Sequence, residues 1–263
     1  MSNDGPAALA VIAAWWAANG RELPWRTSRD PYAIWVAEVM AAQTNVVRAA
    51  QAWERWMARW PTVGDLADAS LAEVLRAWDG LGYPRRARDL HRSASIVAAS
   101  GWPDDLRTLP GIGPYVDAAI RCFASEEPVL PVDVNVRRVL ARRFPGGVCI
   151  DSDPWLYGQA LMEFGQRICA ARPRCSECPV RAGCTADPAA GIDPAPRRRR
   201  QARYEGSVRQ RRGDLLRAVL ADELVTVADA DEEVVAGLAA DGLVAVCGDV
   251  LRPPGDASNA QEP

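Results

Sequence analysis

Four of the seven cysteines of this chain fall within sixteen residues, as Cys169-x5-Cys175-x2-Cys178-x5-Cys184. No other stretch restricts the backbone as much. Thiolates this close repel one another unless a cation neutralises them. The N-terminus MSNDGPAALAVIAAWWAANG has no basic region before its apolar stretch, and no run approaches the roughly 18 apolar residues that cross a bilayer. A cytoplasmic location is therefore expected, and there disulfides are disfavoured. The segment is then expected to close around metal, as a four-thiolate zinc site or an iron–sulfur cluster, rather than to carry four unligated cysteines. Structural zinc sites usually pair their cysteines as two close knuckles, whereas here only the middle pair is close, which favours a [4Fe-4S] cluster. Cys122, Cys149 and Cys247 are left over and expected to be packed or unreactive.

The rest of the chain reads as helix. Apolar residues recur at three- and four-residue spacing, with no extended alternating runs before about residue 240. Asp30-Pro31 has the cap-then-proline form that opens a helix through PYAIWVAEVMAAQ, and Thr44-Asn45 can end it and cap VVRAAQAWERWMARW. Ser70 and Glu73 form a capping box before VLRAW, which Gly80 and Gly82 stop. Most of the ten tryptophans fall at helical spacings and are expected in the core. Residues 186–206 carry proline, glycine and arginine without an apolar period and read as a linker. Beyond it, 207–255 reads as two helices (RRGDLLRAVLA, DEEVVAGLAADGL) and a short strand pair around Cys247 to Leu251. That is the outline of a small winged helix, with 256–263 as a disordered tail.

Composition excludes several chemistries. All 31 basic residues are arginine, so a Schiff base could form only at the N-terminal amine. One histidine, His91, rules out histidine triads and multi-histidine zinc sites, and it reads as an ordinary helix residue. The formal net charge of -3 argues against a nucleic-acid partner only on average, because the arginines cluster at 85–92, 137–143 and 197–200. Leu109-Pro-Gly-Ile-Gly-Pro-Tyr115 lies between two helical stretches. Gly111 and Gly113 permit a sharp turn, and Pro114 begins a helix whose free N–H groups can hold a phosphate. A plain helical corner would use the same residues; the arginine clusters tip the reading toward DNA.

LPGIGPY, followed by VDVNVRRVLAR and then the four cysteines, resembles the helix–hairpin–helix glycosylase superfamily that includes endonuclease III. LPWR (23–26), DPYAIWVAEVM (30–40), Gln43-Thr44, DGLGYPRRARDL (79–90) and ALMEFGQRIC (160–169) are, in addition, similar to MutY-type adenine glycosylases. The resemblance covers roughly residues 10–185. It implies an all-α, two-lobed helix–hairpin–helix DNA glycosylase with an iron–sulfur loop, to which the pattern beyond the linker adds the small winged-helix-like tail. The six-helix lobe would span about 28–127, and the N-terminal helix with 128–185 would form the cluster lobe.

The resemblance also implies roles. Glu38 would be the general acid toward a purine N7 and later the base toward water, Asp133 the stabiliser of the cationic sugar, and Asn135 a holder of the sugar–phosphate or the water. Tyr115 stands where bifunctional relatives carry a catalytic lysine, so no lyase activity is expected. Trp25, Arg26, Ala41 and Glu163 would line the base pocket. Gln43 and Tyr83 would wedge into the duplex, with Thr44, Arg85, Arg86, Gly111 and Gly113 also at the DNA, and Cys169, Cys175, Cys178 and Cys184 would hold the cluster. The partner would be double-stranded DNA with a mispaired or damaged base, bound by a monomer. Three departures stand out. Ala41 and Ala42 replace the usual leucine and glutamine, the first cysteine spacing is one residue short, and about 80 residues after the cysteines are too few for the family's usual 8-oxoguanine-reading domain. The expected reaction is removal of adenine opposite 8-oxoguanine or guanine. A mismatch thymine or uracil glycosylase and a non-catalytic iron–sulfur DNA-binding regulator are the alternatives.

Overall fold

The structure is a computed structural model that describes residues 4–196 and 202–255; the arginine run from 197 and the tail 256–263 lie outside the described residues. In chain order the helices are α1 Gly5–Asn19, α2 Pro31–Ala41, α3 Val46–Arg59, α4 Val63–Asp68, α5 Leu71–Ala77, α6 Arg85–Ser100, α7 Pro114–Ser125, α8 Val134–Arg143, α9 Pro154–Arg167, α10 Val208–Leu220 and α11 Glu232–Ala240. One hairpin follows, β1 Ala245–Cys247 and β2 Val250–Arg252. The helical expectation holds, and no helix among the described residues is long and apolar enough to cross a membrane. The chain divides into two compact units, Met1–Glu38 with Ile112–Arg199 and Val39–Gly111 with Arg200–Pro263.

In the first unit, α9 packs against α1, α7 and α8. Trp15 meets Phe164 edge-on at 5.4 Å, and Trp16 meets Trp155 at 5.6 Å. The α8–α9 approach needs a glycine, because a Cβ at Gly165 would come within 2.8 Å of the Asn135 carbonyl oxygen. The two helices that carry Asn135 and Glu163 are thereby held close.

In the second unit, caps set the helix starts. Asn45 accepts from the Val47 and Arg48 amides to open α3, and Ser70 and Glu73 close their capping box on α5. Ala49, Ala52 and Trp56, spaced three and four apart, form the buried stripe of α3. The Trp56 ring lies 4.7 Å from Trp60 and 5.7 Å from Trp78, edge-on in both cases. α6 packs on α4 and α5, and His91 sits on it with Nε2 2.8 Å from the Ala69 carbonyl oxygen, an ordinary helix residue. α10 packs on α5 and α11. The antiparallel hairpin pairs Val246 with Leu251, and its other edge takes hydrogen bonds between Leu251 N and Val225 O and between Val227 N and Asp249 O.

Candidate active site

Glu38 is the one carboxylate in a run, Tyr32 to Met40, in which every residue of α2 is buried. Burial pushes its pKa up to about 7, and the charge of Asp133 adds to the rise; a hydrogen bond from Tyr115 and the charge of Arg26 oppose it. The Tyr115 hydroxyl donates to Glu38 Oε2 at 2.5 Å. Tyr115 is delivered by the hairpin, with Gly113 as the cap of α7 and Pro114 in its first turn. Burial, reinforced by the Glu38 charge, keeps the phenol protonated far above neutral pH, so it remains a donor.

Asp133 caps α8. Its Oδ1 accepts the amides of Asn135 at 2.8 Å and Val136 at 2.7 Å, and Oδ2 accepts Asn135 Nδ2 at 2.6 Å. Three donors at a helix N-terminus fix the direction of the carboxylate. Asn135 Oδ1 accepts from Arg138 Nη2 at 2.8 Å, and Arg138 Nε reaches the Cys169 carbonyl oxygen at 2.6 Å. Glu38, Tyr115, Asp133 and Asn135, collected from α2, the start of α7 and the start of α8, therefore form one group.

Arg26 and Glu163 are partners. Arg26 Nη2 donates to Glu163 Oε2 at 2.7 Å and Arg26 Nε to Gln159 Oε1 at 2.8 Å, while Arg21 Nε holds Glu163 Oε1 at 2.5 Å. The Glu163 side chain is fully buried. Burial works against its charge, but hydrogen bonds from Arg21 and Arg26 outweigh that and hold Glu163 below the ordinary glutamate value. Trp25, in a short 3-10 turn, is buried beside them in sequence. Arg21 and Gln159 were not singled out from the sequence. Gln159 lies four residues before Glu163 on α9, a spacing that puts both on one helical face and was there to be used.

The residues expected at the duplex fall mostly in the second unit. Gln43 and Tyr83 are exposed, and both have left-handed backbones, with φ of 58° and 51°. A non-glycine residue held there costs about 1–3 kcal/mol. Ala41 is half-buried, Ala42 exposed, and the Thr44 hydroxyl donates to the Ala42 carbonyl oxygen at 3.3 Å. Arg85 is largely exposed, 3.5 Å from Asp241. Arg86 turns inward and donates to the carbonyls of Val39, Ala42, Leu81 and Gly82 at 2.5 to 2.9 Å. Gly111 has φ of 79°, and a Cβ there would meet Asp89 Cβ at 2.9 Å, so the first hairpin glycine is required twice over.

Cys169, Cys175, Cys178 and Cys184 line one cavity with Ile168, Pro173, Ala186 and three arginines, Arg142, Arg174 and Arg181. No three His, Cys, Asp or Glu side chains among the described residues converge tightly enough for a single metal ion. Burial raises the Cys169 and Cys178 thiols, so thiolates there need a neutralising cation. Arg142, counted above among clustered basic residues, is buried here: it pairs with Asp193 at 2.7 Å and lies 3.5 Å from Cys169 Sγ. Arg143 is likewise buried, against Asp4 at 2.6 Å. Of the leftover cysteines, Cys122 is buried, and that burial pushes its thiol up to about 12; Cys247 is half-buried, and Cys149 is exposed rather than packed.

Residues 36–146 match the family described as HhH-GPD superfamily base excision DNA repair protein. An adenine DNA glycosylase of Mycobacterium tuberculosis is 42% identical over 249 residues, spanning 84% of this chain and 81% of that one. A thermostable thymine-DNA glycosylase structure superposes with a TM-score of 0.61 at 24% identity, over 69% of this chain and 95% of that one. An endonuclease III in a trapped covalent DNA complex gives 0.58 at 22% identity, over 68% and 93%. The fold is the endonuclease III-like one expected from LPGIGPY and the cysteine run. The chain belongs to the adenine DNA glycosylase family, within the HhH-GPD superfamily of base excision DNA repair proteins, and acts as a DNA glycosylase.

Proposed function

We propose that this chain hydrolyses the N-glycosidic bond of an adenine flipped out of duplex DNA, where it is mispaired with 8-oxoguanine or guanine. The observation that carries the reading is Glu38: a buried carboxyl with a pKa of about 7, held by Tyr115 and close enough to Asp133 to feel its charge. A group with that pKa is present in both protonation states near neutral pH, as a general acid that must later act as a base requires.

In this reading the Glu38 proton goes to adenine N7, and the bond from the sugar C1′ to N9 breaks with its electron pair leaving on the base. Asp133, its carboxylate oriented by three N–H donors, stabilises the cationic sugar. Water then adds to C1′ and yields its proton to the Glu38 carboxylate. Asn135, tied to Asp133, orients the sugar–phosphate or that water. Trp25, Arg26 and Glu163 serve the extruded base. Gln43 and Tyr83 fill the stack, and Arg85, Thr44 and the hairpin glycines engage the strand. With tyrosine at 115 and no lysine anywhere, no strand cleavage by an amine is expected.

The four thiols would hold a [4Fe-4S] cluster. They line one cavity with Arg142, Arg174 and Arg181, whose positive charges would offset the negative charge of a four-thiolate centre. When bound, the cluster would close the loop after α9 on itself, beside Arg142 near the end of α8. The protein acts as a monomer in the cytoplasm on this reading.

The test is incubation of the purified protein with duplexes varying both target and opposite base, followed by alkali. Adenine release opposite 8-oxoguanine or guanine is expected, lost in Glu38→Gln with duplex binding retained. A Glu38→Gln protein that still releases base would refute the assignment. Release of thymine or uracil with adenine untouched would move the substrate to the pyrimidines, which Ala41 and Ala42 would then accommodate. Borohydride should trap no adduct, and iron with acid-labile sulfide should be found at about four each per chain.

A further inference from the structure

Arg86 lies in an arginine stretch that reads from sequence as a phosphate-binding patch, yet it has no accessible uncommitted donor to give a phosphate. Its Nη1 donates to the carbonyls of Val39 and Ala42, at 2.5 and 2.7 Å, and its Nη2 to those of Leu81 and Gly82, both at 2.9 Å. Those bonds use all four terminal N–H groups, and the remaining Nε is buried without a hydrogen-bond partner. The guanidinium also stacks over the rings of Trp78 and Tyr83, at 5.3 and 5.6 Å. Two of the carbonyls belong to the open C-terminal end of α2, where backbone acceptors lack intrahelical donors. The other two precede Tyr83, and Gly82 O takes a second bond from Trp78 Nε1 at 3.0 Å. Each group of acceptors ends immediately before a residue with a left-handed backbone, Gln43 in one case and Tyr83 in the other.

We propose that Arg86 is the positioning residue for both wedge residues: one planar guanidinium bolts the α2 terminus to the 80–83 loop and so fixes Gln43 and Tyr83 as a pair. The planar fork is what lets one side chain serve two segments, and a lysine ammonium cannot span them. The proposal rests on the wedge reading of Gln43 and Tyr83 above. It removes Arg86 from the phosphate contacts and leaves Arg85, exposed on the same helix, to serve there.

The experiment uses full-length Arg86→Lys and Arg86→Met, with Arg85→Met as comparison. Amide exchange should rise at least tenfold over 39–45 and 80–84 and stay unchanged in α10. Preference for a mispaired over a matched duplex should fall at least tenfold, with matched-duplex affinity within about twofold and lysine recovering part of the loss. Gln43→Ala and Tyr83→Ala should each lose their effect once Arg86 is methionine, because the wedge is then already unplaced. The slope of log affinity against log salt should be unchanged in Arg86→Met and fall by about one in Arg85→Met. Native preference in a variant with raised exchange would reduce Arg86 to a structural role and overturn the proposal, as would unchanged exchange or a salt slope lowered in Arg86→Met. Failure of the unmodified protein to prefer any mispair would instead sink the wedge reading, and the exchange data would still decide whether the clamp exists.

Discussion

Glu38 should make the folded protein less stable, by an amount that depends on pH in a calculable way. Its ordinary pKa of 4.5 is raised to about 7 in the folded state, chiefly by burial. Below 4.5 the carboxyl is neutral whether the chain is folded or not, and nothing is lost. Between 4.5 and about 7 the unfolded chain releases the proton while the folded one keeps it, so stability falls as pH rises, and the loss levels off above the folded pKa. The linkage gives a cost of about 1 kcal/mol near pH 5 and about 3 kcal/mol near pH 8. Glu38→Gln cannot ionise, and its amide oxygen can still accept from Tyr115. The variant should therefore match the parent near pH 4, exceed it by about 3 kcal/mol near pH 8, and release no base. Urea unfolding across that range, on parent and variant together, reads the difference directly. A gain independent of pH, or a loss at pH 8, would mean that Glu38 is not held protonated by its surroundings, and the general-acid argument would fall with it.

Other outcomes follow from the same geometry. Tyr115→Phe removes a hydrogen bond that holds the Glu38 pKa down, so the alkaline limb of single-turnover excision should move to higher pH, measurable in a pH–rate profile; a limb moved to lower pH would contradict the sign. Glu163→Gln leaves Arg21 and Arg26 facing no charge and should cost about 3–5 kcal/mol in denaturant unfolding, whereas Asn45→Ala, which removes only the cap of α3, should cost about 1 kcal/mol. Gly111→Ala puts a Cβ against Asp89 in a left-handed backbone and should weaken duplex binding together with a stability loss of about 1–3 kcal/mol. Cys178→Ser should lower iron content per chain, measured by colorimetric iron analysis.

Local chemistry was legible in the sequence and long-range commitment was not. Asn45, Ser70 with Glu73, and Pro114 act within four residues of themselves, and their roles could be read from spacing alone. Glu38 and Asp133 came from the family resemblance, but the physical grounds for the acid, nine consecutive buried residues around one carboxylate, needed the fold. The arginines were the hardest. Arg85 and Arg86 are neighbours of one type, yet on a helix they point about 100° apart, so one faces solvent and the other a set of carbonyls. Arg142 and Arg143 read as surface charge and are buried by Asp193 and Asp4, partners 51 and 139 residues away, which no local pattern predicts.

The hydrogen bond from Tyr115 to Glu38 makes position 115 an either-or. A lysine there would bring an ammonium to the same carboxylate, and the resulting ion pair would hold Glu38 ionised and the amine protonated, which disarms the acid and the nucleophile together. On the mechanism proposed above, Tyr115→Lys should therefore slow base release rather than simply add amine chemistry to it.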